Sequence, residues 1–398
     1  MITKFKKDEI LFYLSYIIQY ISLFIGDVYN IGSMDILARY LRIGSYILIF
    51  ISCINMRLRK KDFFRMVAIL MVTLLYGVKT GDLYWSVLIL LIYNSKKVDI
   101  ERVYKTSSRI IAIGIISVLV LCMFGVLPDI LTSRNTVEQI NYNRHSFGFY
   151  HSNVLPLLIF YLEVYYICIV KEKIRDNVIV LFVLLAGATN TFCHSRNALI
   201  LSLALSLFVV FAKQMKKDEH KILYRTTVLS IPCMSIFSFS MMFLLVKGKG
   251  GIWNTIDTFF SGRFRLAIFK MRRIGLHLIN IMSNESFVKD NTTYVDGKDI
   301  SSIVLDNGYL YVILRYGILI ILVYFLIAYC LAKKNKGNAC VLGALIAVFI
   351  ANFVDNDLVD YSFLPFILWA FNDVRVDSII KNVEKKVDEI YKGNIEKI

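Results

Sequence analysis

The stretch "NRHSFGFYHSN", residues 143–153, stands directly before "VLPLLIFYLEVYYICIV", residues 154–170. One arginine, two histidines, two serines and two asparagines crowd the first segment. The second is an apolar run, and a helix needs about 20 residues to cross the hydrocarbon core of a bilayer, fewer when its ends are polar. The pair therefore reads as a polar mouth on a membrane span.

Runs of this kind recur along the chain. It has 398 residues, 57% of them hydrophobic, with a mean hydropathy of +0.61 and four prolines. That is too apolar for a soluble domain, whose surface must be largely polar. Only helices or closed barrels satisfy the backbone inside a bilayer, and the runs lack the period-two alternation of a barrel strand. The expectation is an all-α, polytopic membrane protein of about twelve spans: 10–26, 37–55, 64–78, 83–94, 109–127, 154–170, 178–192, 197–212, 226–246, 309–331, 339–355 and 360–372. They make one bundle over 1–372, with a large extracytoplasmic loop at 247–308 and a cytoplasmic tail at 373–398. No signal-peptide cleavage pattern precedes the first span, which is expected to remain as an anchor. Seven cysteines fall in or beside spans without CxxC spacing, so neither a zinc site nor a disulfide framework is expected.

Lys and Arg sort by side. Alternate connections (the N-terminal tail, 56–66, 95–109, 171–177, 213–225, 333–338 and the tail from 373) hold 3, 5, 5, 3, 5, 3 and 6 of them, 30 of the 46. The positive-inside rule makes these segments cytoplasmic and puts both termini inside. It also accounts for most of the formal net charge of +16 without any nucleic acid partner. The other sixteen include ten arginines: Arg39, Arg42, Arg134, Arg144, Arg196, Arg263, Arg265, Arg272, Arg273 and Arg315. Lysine is enough to orient a membrane protein, whereas arginine offers a planar fork suited to phosphate and carboxylate. The outer face reads as built to hold an anion. For any one arginine the alternative is pairing with a nearby acid or snorkelling to headgroups.

In the large loop, "SGRFRLAIFKMRRIGLHLINIM" has a helical stripe of Phe264, Ala267, Ile268, Met271, Ile274, Gly275 and Leu278. Arg263, Lys270, Arg273 and His277 fall on a neighbouring arc. This predicts an amphipathic helix on the membrane surface or against the bundle, its basic row facing lipid phosphates or a phosphorylated substrate. At "LDNGYLYVILRYG" Asp306 and Asn307 stand where the chain re-enters the membrane, as helix caps or, for Asp306, as a general base. "HSRNALILS" sets Ser195 and Arg196 at a tight outer turn, where an arginine at membrane depth needs an anion or water. No metal-ligand spacing, phosphate loop or nucleophile elbow occurs, so no cofactor is expected.

With these residues in view, the chain resembles the Wzy-type O-antigen and capsular-polysaccharide polymerases of the O-antigen ligase/polymerase superfamily. That family often shows Arg-x-Ser-x-Gly-Phe-x-His-Pro-Asn before a central span; here Arg144, Ser146, Gly148, Phe149, His151 and Asn153 match, with Ser152 in place of proline. Ser195-Arg196 and Gly262-Arg263 resemble two further family pairs. The ligase branch carries His-Asn-x-Tyr/Phe-Leu where this chain reads Asp306-Asn307-Gly308-Tyr309-Leu310, so the aspartate is polymerase-like.

The resemblance implies a fold similar to the GT-C type membrane glycosyltransferases. It also implies an envelope-polysaccharide enzyme of the bacterial cell membrane. A hydroxyl of one lipid-linked repeat unit would attack the anomeric carbon of another, releasing undecaprenyl pyrophosphate, with no metal or nucleotide sugar. The expected partners are those substrates, membrane lipids, and the flippase and chain-length regulator of the same pathway. Arg144, Arg196 and Arg263, with Arg265 and Arg273 in support, would hold the pyrophosphate; Asp306 or His151 would take the proton; Asn153 and Asn307 would orient oxygens. An O-antigen-ligase-like transferase and a flippase for the same lipid are the alternatives.

Overall fold

The computed structural model describes residues 7–29, 33–55, 60–96, 98–135, 141–216, 218–247, 251–260, 262–283, 287, 293–295, 298–300 and 305–372. The expected cytoplasmic tail at 373–398 lies outside the described residues, as does part of the large loop. In chain order the elements are α1 (Lys7–Phe24), α2 (Ser33–Asn55), α3 (Lys60–Thr80), α4 (Tyr84–Ser95), α5 (Ile100–Met123), β1 (Leu131–Asn135), β2 (Asn141–His145), α6 (Val154–Val170), α7 (Asp176–Cys193), α8 (Arg196–Ala212), α9 (His220–Lys247), α10 (Ile252–Phe259), α11 (Arg263–Ile274), β3 (Thr293–Val295), β4 (Lys298–Ile300), α12 (Gly308–Tyr316), α13 (Ile320–Lys334), α14 (Ala339–Val354) and α15 (Leu364–Phe371).

Among the described residues, seven helices are long and apolar enough to cross a membrane: α1, α2, α3, α5, α6, α7 and α9. The apolar helices α4, α8 and α14 are shorter. Large apolar side chains stand exposed around the bundle, among them Phe64, Leu75, Val78, Leu184 and Leu322. A soluble protein does not expose such a belt, whereas lipid covers it. The chain is an all-α membrane protein.

The core lies around α6 and α14, both apolar on every face. α6 packs against α5, α7, α8 and α14. Inside α6 a buried acid, Glu163, accepts hydrogen bonds from Ser202 and Ser206 of α8, the latter at 2.7 Å. The two hydroxyls sit four residues apart, one turn of a single helix face.

Further contacts tie the bundle together at its two ends. At one, the Asn372 amide donates to Ser95 and Val98 carbonyls at 2.6 and 2.7 Å, and Tyr13 OH donates to the Asp99 carbonyl at 3.2 Å. At the other, Val28 bridges Phe149, Tyr361 OH donates to Asp27 Oδ2 at 2.5 Å, and Gly308 N donates to the Asp355 carbonyl at 2.8 Å. This second end, where α6 begins and α7 and α14 finish, is the site end: it carries His151, Asp306 and the acids around them.

Two elements differ from the sequence expectation. α5 begins at Ile100 rather than 109, because Asp99 caps it by accepting the Glu101 N–H at 3.0 Å. The expected span 309–331 is two helices, α12 and α13, broken at Gly317. There φ is +100°, and a Cβ would lie 2.5 Å from the Leu278 carbonyl oxygen. The gap is filled by the loop: Asn280 N donates to the Tyr316 carbonyl at 3.0 Å, while Ile318 and Leu319 N–H groups donate to the carbonyls of His277 and Leu278 at 3.0 and 3.1 Å. The groups freed by the break are thus satisfied locally, as burial requires.

Candidate functional site

The turn within residues 143–153 is held by one carboxylate. Asp129 Oδ1 accepts the N–H groups of Ser146 and Phe147 at 2.9 and 2.8 Å, and its Oδ2 lies 2.5 Å from His145 Nδ1. Ser146 Oγ in turn accepts the Ile130 N–H at 2.8 Å. Gly148 follows at φ +85°, where a Cβ would press on Val118, Leu127 and Cys122 at 3.1 to 3.3 Å. Only glycine relieves both constraints. The bend aims Arg144, at the end of the β1–β2 hairpin, back toward the start of α6. Its Nε donates to the Cys193 carbonyl at 3.0 Å, and its Nη2 donates to Asn153 Oδ1. Arg144 is buried.

His151 sits in the last turn before α6. Its Nδ1 accepts the Asn153 N–H at 3.1 Å, which leaves the neutral imidazole with its proton on Nε2. Burial, then the Arg144 charge, lowers the imidazole below the ordinary histidine value, against the opposing pull of Asp306. His151 is therefore a neutral hydrogen-bond donor at neutral pH.

From the other side comes α11. Asp257 is fully buried; its Oδ1 accepts the N–H groups of Phe264 and Arg265 at 3.2 and 3.3 Å and so caps the helix. Gly262, at φ +77°, makes the turn into it. Arg263, the first residue of α11, is 8% exposed and brings its Nε to 3.9 Å from Asp306 Oδ2. That nitrogen has no hydrogen bond. The Asp306 side chain is 44% exposed. Burial by the surrounding protein raises its carboxyl, opposed by Arg263 and by His151.

Beside these groups is a cavity of about 270 Å³, lined by His151, Asn153 and Asp306 but not by Arg144 or Arg263 themselves, with Asp27, Asp355, Asp357 and Asp360 also on its walls. Burial, reinforced by Asp306, pushes the Asp355 carboxyl up to about 7. Asp357 is raised well above its ordinary value, by burial and then by Asp355 and Asp360. Tyrosines feed this wall: Tyr161 OH donates to Asp357 Oδ2 at 3.0 Å, as Tyr361 does to Asp27. Asn356 Oδ1, also on the cavity wall, is buried without a partner. Among the described residues no three His, Cys, Asp or Glu side chains converge to hold a metal ion.

The site residues expected from sequence thus divide. Arg144, His151, Asn153, Arg263 and Asp306 come together. Asn307 is spent on structure: its Oδ1 caps α12 on the Leu310 N–H at 3.0 Å, and its Nδ2 donates to Ser238 Oγ and the Phe353 carbonyl. Arg265 is exposed and turned to Asp257 at 3.4 Å. Arg196 is exposed at the first position of α8, three residues past the carbonyl that Arg144 holds. Arg273 is exposed in the last turn of α11.

The basic arc expected on α11 is also rearranged. Lys270 is buried, donates to the Phe287 carbonyl and lies 4.4 Å from that ring centroid, so it does not face lipid phosphates. The helix lies against α9 and α12, and it ends at Gly275, which leaves Leu278 outside the apolar stripe. Sequence reading missed Asp27, Asp129, Asp257, Asp355, Asp357 and Asp360. For the last three the signal was present, three acids within "DNDLVD" between two apolar runs.

No family model, curated protein or solved structure matches this chain.

Proposed function

We propose that the chain is a membrane glycan polymerase of Wzy type. It transfers a polyprenyl-pyrophosphate-linked glycan onto a hydroxyl of a second lipid-linked repeat unit at the outer face of a bacterial cell membrane. The observation that carries the reading is Asp306: a carboxylate 3.9 Å from the Arg263 guanidinium, facing His151 across a polar cavity at the mouth of a helical bundle. A general base and preorganised cations at a membrane edge are what this reaction needs.

In the transfer the hydroxyl oxygen bonds to the donor's anomeric carbon. The bond from that carbon to the pyrophosphate oxygen breaks and takes its electron pair with it. The hydroxyl proton passes to Asp306. Charge grows on the leaving pyrophosphate, which Arg144 and Arg263 stabilise in a low-dielectric setting. His151, neutral and donating from Nε2, steadies a sugar oxygen, and Asn356 accepts from a sugar hydroxyl. No step requires a cofactor.

The site end is then the outer face, and both termini are cytoplasmic by the basic-residue count. Twelve crossings follow if α4, α8, α14, the broken α12–α13 pair and α15 each count as one, in a bundle similar to the GT-C glycosyltransferases. A flippase would string charged groups along a central path; Glu163, inside α6, is instead tied to two serines, which favours the enzyme. A ligase differs from this reading in acceptor alone.

The test is to incubate the purified chain with lipid-linked repeat units and resolve the products by size. A ladder is expected, and Asp306→Asn should reduce it by about 10²- to 10⁴-fold with the protein still folded. No ladder from the unaltered chain, or an unchanged one from the variant, sinks the proposal.

A further inference from the structure

The site end holds a second polar cavity, of about 570 Å³, whose walls include Arg39 and Arg42 of α2 and the rings of Tyr46, Tyr84, Tyr311 and Tyr316. It shares Asp360 and Tyr361 with the Asp306 cavity, so the two meet at a common partition. On its other side it shares Leu88 and Tyr316 with an apolar groove of about 700 Å³. That groove runs along α4 between α3 and α13, from Tyr76 and Ile279 near the site end to Lys96 and Phe371 at the far end. Its rim residues Val72, Ile279, Leu319 and Leu326 are exposed among the apolar belt. Groove, arginine cavity and Asp306 cavity therefore lie side by side in series, each sharing wall residues with the next.

The middle cavity is lined by two arginines, Arg39 and Arg42, and two acids, Asp82 and Asp360, and neither acid is ion-paired with either arginine. Asp82 on its wall is engaged by Arg315 Nη2 at 3.5 Å and by Tyr316 OH at 3.4 Å. Arg39 and Arg42, three residues apart on one face of α2, make no ion pair among the described residues. The Nε of Arg42 and the OH of Tyr84 are both buried with no hydrogen-bond partner. Buried donors left open in this way cost free energy unless a ligand or water fills them. An arginine fork beside open donors suits a phosphate group, and tyrosine rings suit the apolar faces of sugars.

We propose that this series is the binding site of one lipid-linked substrate that enters sideways from the bilayer. Its isoprenoid tail lies in the groove of α3, α4 and α13, its diphosphate rests on Arg39 and Arg42, and its glycan passes the Tyr361 partition toward Asp306. This rests on the reading above, in which Arg144 and Arg263 hold the other unit's diphosphate; the second unit is then the acceptor. The groove follows α4, twelve residues or roughly 18 Å of helix, which matches a tail spanning part of a bilayer.

The experiment titrates the purified full chain with undecaprenyl pyrophosphate and counts bound lipid by native mass spectrometry. Phosphatidylglycerol and inorganic pyrophosphate serve as separate arms. Two undecaprenyl pyrophosphates per chain are expected. Arg39→Gln with Arg42→Gln, and separately Val72→Trp with Leu326→Trp, should each weaken one of the two sites at least tenfold and leave the other. Arg263→Gln should weaken the other one.

Unchanged binding in both double variants overturns the proposal, as does equal occupancy by phosphatidylglycerol, which marks a general headgroup site. Inorganic pyrophosphate binding as tightly as the lipid overturns the role of the groove. The product ladder keeps the two readings apart. A ladder that survives both double variants leaves the polymerase standing and removes this site; selective two-site binding with no ladder does the reverse.

Discussion

Arg263 Nε lies 3.9 Å from Asp306 Oδ2, with the arginine buried and the carboxylate half open to the cavity. The two come from different ends of the large loop, so the pair clamps its beginning to its return. Burial lifts the Asp306 carboxyl and Arg263 draws it back down.

That opposition has a pH signature. A base must be ionised to work, so the rate of glycan transfer should fall with decreasing pH through an acid limb above the ordinary carboxylate value of about 3.9. Replacing Arg263 with Gln removes the cation that lowers the Asp306 pKa. The limb in kcat/KM should then move to higher pH, while Arg263→Lys should move it less. An acid limb that stays in place in Arg263→Gln excludes this pairing as the control on the base.

At Gly317 the break between α12 and α13 leaves no room for a side chain. Gly317→Ala sets a methyl group 2.5 Å from the Leu278 carbonyl oxygen, at a φ that suits glycine alone. A loss of roughly 2 to 4 kcal/mol in stability is expected, read as a lower thermal midpoint in detergent. A variant as stable as the parent means that the loop 277–280 does not seal the break.

How much of this was legible in the sequence follows from how far apart the partners lie. Arg144, His151 and Asn153 are within one local turn, so a short motif placed them together, and Gly148 announced the bend. Asp306 was legible because a carboxylate stood where an apolar run begins. Of the acid wall only "DNDLVD" carried a signal; that Asp27 joins it was not legible, because Asp27 and Asp360 are separated by most of the chain and hydropathy reads each as the ragged end of a span. Arg265 and Arg273 have the same residue type as Arg263, and helical phase turns them away from the cavity. Periodicity sets Lys270 on the arc facing lipid phosphates or a phosphorylated substrate, because the partner that buries it, Phe287, lies beyond the helix that the periodicity describes.

Glu163 offers a test of packing separate from activity. Glu163→Leu leaves the Ser202 and Ser206 hydroxyls without their acceptor, at a cost of roughly 1 to 3 kcal/mol for each group so buried. Glu163→Gln keeps an acceptor and should cost less. Adding Ser202→Ala and Ser206→Ala to Glu163→Leu should recover most of the loss, because no polar group is then left alone. Strictly additive losses in the triple variant rule out the coupling.

Asp355 makes stability depend on pH. Its carboxyl rises from 3.8 to about 7 on folding, so the folded state holds this proton more tightly than the unfolded chain. The stabilisation is complete below about pH 4 and is lost as the pH rises through 7. The thermal midpoint should fall between pH 5 and pH 8, and Asp355→Asn should flatten that fall. An identical slope in the variant assigns the dependence to another group.

The hydrogen bond from Tyr361 to Asp27 joins positions 334 residues apart. During synthesis the first helix must wait in the bilayer while nearly the whole polypeptide is inserted behind it. The acid wall is completed only when residue 361 arrives, so any product cut short before that point is threaded into the membrane without the cavity that Asp306 lines. The cell thereby receives no half-built site from an unfinished chain.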